Sequence, residues 1–143
     1  MVRQLVAASL IGVALSGCAA PGPTSAPSAY DSAVALQKQQ QEYAKAWMGK
    51  ADTAETAFLT CVRSYAASHL QTSLTATELS GAAVSACNHD LSEFRRDEQA
   101  LYTLITPNVP EAYAQADRAV TQVTDAAKGL VLQMMADRPS KAQ

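Results

Sequence analysis

Residues 74–107 read LTATELSGAAVSACNHDLSEFRRDEQALYTLITP, and the fold class turns on this stretch. Its opening, Thr75-Ala76-Thr77-Glu78, has the pattern of a capping box. The Thr75 hydroxyl can accept the Glu78 amide, and Glu78 can reach back to the Thr75 amide. Leu74 and Leu79 occupy the two staple positions around it. Apolar or small residues then recur at Leu79, Ala83, Ala86/Cys87, Leu91, Phe94, Leu101 and Leu104/Ile105. That spacing is helical, and Pro107 and Pro110 end the run. The stretch therefore predicts one long helix from Ala76 to about Ile105.

Downstream, Asn108 is a predicted N-cap with Glu111 three residues on, and Pro110 is tolerated in a first turn. The apolar stripe Tyr113, Ala116, Val120, Val123, Ala127, Val131 and Met134 predicts another helix that ends before Pro139. Upstream, Trp47, Ala51, Ala54, Phe58, Cys61/Val62 and Tyr65 share one face. The face thins towards Tyr30, Val34 and Tyr43, with Gln37 and Gln39 to Gln41 between them. This predicts one helix from about Asp31 to Leu70. Gly49 is its weak point for a bend, since Gly weakens a helix by about 1 kcal/mol relative to Ala. No segment alternates with period 2, and hairpin signals are absent. Short connections imply antiparallel neighbours. The expected architecture is an all-α, antiparallel three-helix bundle over residues 30–138, followed by a polar tail at 139–143.

The 143 residues carry a formal net charge of -2 and only 6% aromatic residues, with Trp47 the one tryptophan. One domain is expected at this length. About a fifth of the residues are Ala, well above ordinary usage, so the core must be built from small side chains. The mildly acidic balance offers nucleic acid no electrostatic attraction and builds no polybasic membrane patch.

The first 17 residues have the order of a signal peptide. Arg3 supplies the positive region, and Leu5 to Leu15 forms an apolar stretch too short to span a bilayer. Leu15-Ser16-Gly17-Cys18 follows. This resembles the lipobox of bacterial lipoproteins: a branched apolar residue, two small residues, then cysteine. A plain secretory signal with a chance cysteine is the alternative. The resemblance implies cleavage between Gly17 and Cys18 and lipid on the Cys18 thiol. Ala19, in place of Asp, implies the periplasmic face of the outer membrane rather than the inner one. Membrane lipid on acylated Cys18 is thus the first expected partner. Residues 18–29 contain Pro21, Pro23 and Pro27 and no charge, a composition that predicts a disordered tether.

Export would place Cys61 and Cys87 in an oxidising compartment, where paired thiols become disulfides. Cys61 lies nine residues before Leu70 and Cys87 eleven after Ala76. On antiparallel helices that sets them level within about 3 Å at 1.5 Å per residue. A disulfide is the expected outcome; free thiols or a redox or metal role are the alternatives.

No other constellation points to chemistry. His69 and His89 fall some 18 Å apart along the bundle at the rise per residue, too far to share a metal. Met134 and Met135 near the His69 end read as core filler rather than copper ligands. Glu93, Arg95, Arg96, Asp97 and Glu98 form a charge run. Its Glu93–Arg96 and Arg95–Glu98 pairs at i,i+3 predict a solvated face. No phosphate loop, nucleophile elbow or His-Glu-x-x-His occurs. No cofactor and no metal are expected.

The reading that results is a non-catalytic helical interaction or structural module tethered to a membrane, with an unknown periplasmic protein partner. The Gln37–Gln41 and Tyr43 stretch is its candidate binding face, provided that it projects past the other helices. A homodimer through Ala-rich helices is open. The rivals are a ligand- or client-binding stress protein and an enzyme of unrecognised type. Leu74-Thr75-Ala76-Thr77-Glu78 resembles the Leu-Thr-x-x-Gln motif of periplasmic chaperones of the Spy and CpxP type, with Glu78 in place of Gln. The capping box accounts for the same five residues, so no function is carried over.

Overall fold

The computed structural model describes residues 28–138. Gly17 and Cys18, the expected signal peptide, the expected tether as far as Pro27 and the tail at 139–143 lie outside the described residues. Four helices make up the fold: α1 (Ala29–His69), α2 (Ala76–Ala86), α3 (Asn88–Ile105) and α4 (Val109–Ala136). No strand occurs among the described residues.

Helix α1 starts two residues earlier than expected, because Ser28-Ala29-Tyr30-Asp31 is itself a capping box. The Asp31 amide donates to Ser28 Oγ at 3.1 Å, and the Ser28 amide donates to Asp31 Oδ2 at 3.2 Å. This joins two of the four orphan amides of a helix start to side-chain oxygens. Ser28 and Ala29, expected in the tether, thus belong to the start of the helix, Ser28 as its cap. The helix stays continuous through Gly49. Thr53 Oγ1 donates to the Gly49 carbonyl at 2.8 Å.

The second expected helix is two. Its start is as predicted: the Thr75 amide donates to Glu78 Oε2 at 2.8 Å, and the Glu78 amide donates to Thr75 Oγ1 at 3.2 Å. It breaks at Cys87, whose φ of -98° and ψ of 20° leave the helical region, in the sparsely populated bridge between wells. The Cys87 amide still reaches the Ala83 carbonyl at 3.1 Å, and the Leu91 amide reaches the Cys87 carbonyl at 3.2 Å. The change of direction lets α2 lie on α4 while α3 packs mainly along α1. Helix α4 starts at the expected place, although Asn108 makes no side-chain cap bond. Its first turn is held by the Ala112 amide on the Asn108 carbonyl at 3.0 Å.

The core runs between all four helices. Phe58, Val62 and Ala66 from α1 meet Leu79 and Ala83 from α2, Phe94 from α3, and Val123, Ala127 and Val131 from α4. Two expectations for the stripes need correction. Tyr113 is exposed, its place at the start of α4 taken by Ala112 and Ala116. Leu104 and Ile105, in the last turn of α3, are also exposed.

Candidate functional site

Cys61 and Cys87 are joined by a disulfide, with Cα atoms 5.9 Å apart. It links the last quarter of α1 to the joint between α2 and α3. Cys87 is buried and Cys61 half-buried. The loop it closes spans 26 positions, which in the chain-entropy model stabilises by roughly 3 kcal/mol.

The Thr75–Glu78 cap is electrostatically defined as well. The Thr75 amide, and after it the Thr75 hydroxyl, hold the Glu78 carboxyl below its ordinary value of 4.5. Both bonds favour the ionised form. The role is structural; nothing converges on this cap.

The charge run on α3 is the expected solvated face only in part, at Glu93, Arg95 and Arg96. Glu93 and Arg96 do pair, through two bonds of 2.8 Å. Glu93 first, then Asp97, holds the Arg96 guanidinium above its ordinary value. Asp97 and Glu98 are both buried, Glu98 completely. Arg95 faces Asp117 of α4 at 3.6 Å. The physical reason lies in the period: positions 97 and 98 fall between Phe94 and Leu101 on the core face of α3.

Beside Asp97, α1 and α3 leave an open groove of about 750 Å³. Trp47, Lys50, His89, Glu93, Arg96 and Asp97 stand along it, over small residues such as Ala54 and Ala57. The Lys50 ammonium lies 3.8 Å from the centre of the Trp47 ring. His69 is at the far end of α1, stacked on Tyr65 with ring centres 4.2 Å apart. Met134 and Met135 pack against the core, and Arg138 donates to the Met135 sulfur at 2.9 Å. Among the described residues, no three His, Cys, Asp or Glu side chains are grouped to hold a metal ion. None of the described helices is long and apolar enough to cross a membrane.

The most unusual surface is the first half of α1. With Cys61 opposite Cys87, Ile105 at the end of α3 lies level with about residue 43 of α1. Residues 29–42 thus project past the α3–α4 turn as an arm, by about 20 Å at 1.5 Å per residue. Stepping back by sevens from Phe58 and Ala51, the buried stripe of α1 continues through Ala44, Gln37 and Tyr30. Tyr30 is 76% exposed and Leu36 61%, with Val34, Tyr43 and Met48 also exposed. The charges of this half are Asp31, Lys38, Glu42 and Lys45. At 3.6 residues per turn they fall within about 60° of arc. The opposite half of the cylinder carries no charge from Ala29 to Gly49.

No family model, no curated protein and no solved structure matches the chain.

Proposed function

We propose that this protein is a lipid-anchored, non-catalytic interaction module of the bacterial cell envelope, whose docking face is the uncharged side of the α1 arm. The observation that carries the reading is the arm itself: a helix about 20 Å past its neighbours, uncharged on one side, with the apolar surface of Tyr30, Leu36 and Tyr43 in water. An exposed apolar face of this kind is the mark of a surface that is covered in use. The Leu15-Ser16-Gly17-Cys18 lipobox supports the anchor, on the periplasmic face of the outer membrane. Several acyl chains on one residue hold a protein to a membrane where a single chain does not. We read α2 and α3 as one broken leg of a three-legged antiparallel bundle whose task is to hold the arm up. The residues before Ser28 then act as a disordered tether that sets its distance from the membrane.

The test is metabolic labelling with a clickable fatty acid. The wild-type chain should take label and sediment with membranes, and Cys18→Ser should do neither. Label retained by Cys18→Ser would sink the anchor.

A second reading, a ligand- or client-binding protein, draws support from the α1–α3 groove. Trp47 lines it and is the one tryptophan of the chain, so its fluorescence reports occupancy. A saturable shift with envelope extracts that is lost when the groove is filled by Ala57→Leu, with Trp47 kept as the reporter, would favour this reading; an unmoved wild-type spectrum rejects it.

A further inference from the structure

We infer that the occupant of the arm is a second copy of this chain, with the two arms side by side and antiparallel. This rests on the arm being the docking face, as proposed above. Direction follows from sterics. The side of α1 that bears the uncharged stripe is the side covered by the other helices from Ala51 onward. A parallel partner laid on that stripe would run into the bundle. An antiparallel partner points its own bundle the opposite way and meets no obstruction.

The shape of the molecule supplies a matching corner. One wall is the arm. The floor is the α3–α4 turn, where Leu104, Ile105, Val109 and Tyr113 are all exposed, between 45% and 55%. The tip of an antiparallel arm, carrying Tyr30, lands on that floor. Its own corner receives the first copy's tip in return. This is the self-complementary contact that a two-fold axis requires. With Tyr30 of one copy level with residue 43 of the other, the axis passes near Gln37.

Chemistry selects a protein helix over a lipid surface. Gln40 lies in the middle of the uncharged face and Gln37 on the same face. Each amide carries both donors and an acceptor, so like meets like across a two-fold. Hydrocarbon offers them no partner, at a cost for each. The arm has two acidic residues and one basic residue, so it is not drawn to an anionic membrane, and so small a net charge scarcely sets two copies apart. Area is sufficient. Tyr30, Tyr43 and Tyr113 are 76%, 55% and 46% exposed. Their six rings in two copies thus offer roughly 500–900 Å² at about 150–250 Å² for a whole ring, and Leu104, Ile105 and Val109 of both floors bring the total to about 1,000 Å². That is the size a specific interface needs.

The experiment places a photo-crosslinking phenylalanine analogue at position 37, 105 or 42 of the full chain, co-expressed in cells with two different tags. Positions 37 and 105 should give adducts of twice the mass carrying both tags, and peptide mapping should join 105 to the partner's tip near Tyr30. Position 42, on the charged strip, should give none. A different protein captured at 37 would overturn the second copy and leave the arm as a docking face. No adduct at 37, a lipid adduct there, or equal dimer at 42, would overturn both.

Discussion

Between Ala51 and Ala66, α1 buries Ala51, Phe58, Val62 and Ala66 completely; between Ala29 and Gly49 no residue of the same helix is buried, and only Ala44 and Trp47 are half-buried. The stripe is continuous through both halves, and both are uninterrupted helix. What differs is the company. Helix α1 has 41 residues, α4 has 28, and α2 and α3 have 11 and 18. The neighbours run out before α1 does. A pattern of apolar residues thus shows which side of a helix is to be covered. It does not show whether this chain supplies the cover.

The sharpest way to break this comparison is one deletion in each half. Phe58→Ala opens a cavity in the core and should destabilise by about 3–5 kcal/mol, read by thermal or urea melting. Tyr43→Ala should change the stability of the dilute protein by no more than about 0.5 kcal/mol. Equal losses would mean that the arm is part of the fold.

The disulfide anchors only the covered half. Replacing Cys61 and Cys87 together by Ala should cost roughly 3 kcal/mol, and reducing agent should lower the wild-type midpoint in the same way. Equal midpoints with and without reductant would remove the link from the account. The capping box at Ser28 and Asp31, far from the bridge, should still hold the arm helical.

A smaller effect tests the boundary between the halves. A Cβ added to Gly49 meets nothing within 4 Å, so Gly49→Ala should stabilise by about 1 kcal/mol through helix propensity alone. Destabilisation instead would show that the two halves need a flexible junction.

The least effect is expected from acid at the other cap. The Glu78 carboxyl titrates below its ordinary 4.5 in the folded protein, held there by Thr75. Its contribution is therefore complete above that ordinary value and is lost as pH falls through the lower folded one. Glu78→Gln should flatten the acid limb of a stability-versus-pH curve and leave the neutral plateau's slope unchanged. An unaltered acid limb would show that the cap bonds do not persist in solution.

Most of the helices were legible because their signals are local. Thr75 and Glu78 mark a start, Pro107 and Pro110 mark a stop, and Cys61 and Cys87 come level by counting residues from one turn. The Ser28–Asp31 box was equally local, yet it lies at the end of a Pro-rich segment whose composition masked it. Asp97 and Glu98 were missed for another reason. Pairing rules at i,i+3 describe an exposed helix, and the gap between Phe94 and Leu101 in the apolar stripe was the sign that these carboxylates turn inward. The break at Cys87 left no sign at all, since the apolar period runs through it without a change of phase. For the candidate site, the Gln37–Gln41 and Tyr43 stretch was visible; its exposure was conditional on lengths still to be measured against one another.

The sequence by itself determined the helical class, the capped start at Thr75, the residues facing inward along most of each stripe, and the partnership of Cys61 with Cys87. These depend on spacings within one helix or counted from one turn, and hydrogen bonds at i to i+4 impose them wherever the chain goes. Only the tertiary structure decided that α2 and α3 part at Cys87, that Asp97 and Glu98 are enclosed, and that α1 outreaches its neighbours. Those depend on how far and at what angle separate helices lie against each other, and packing between surfaces distant in the chain has no local pattern to announce it.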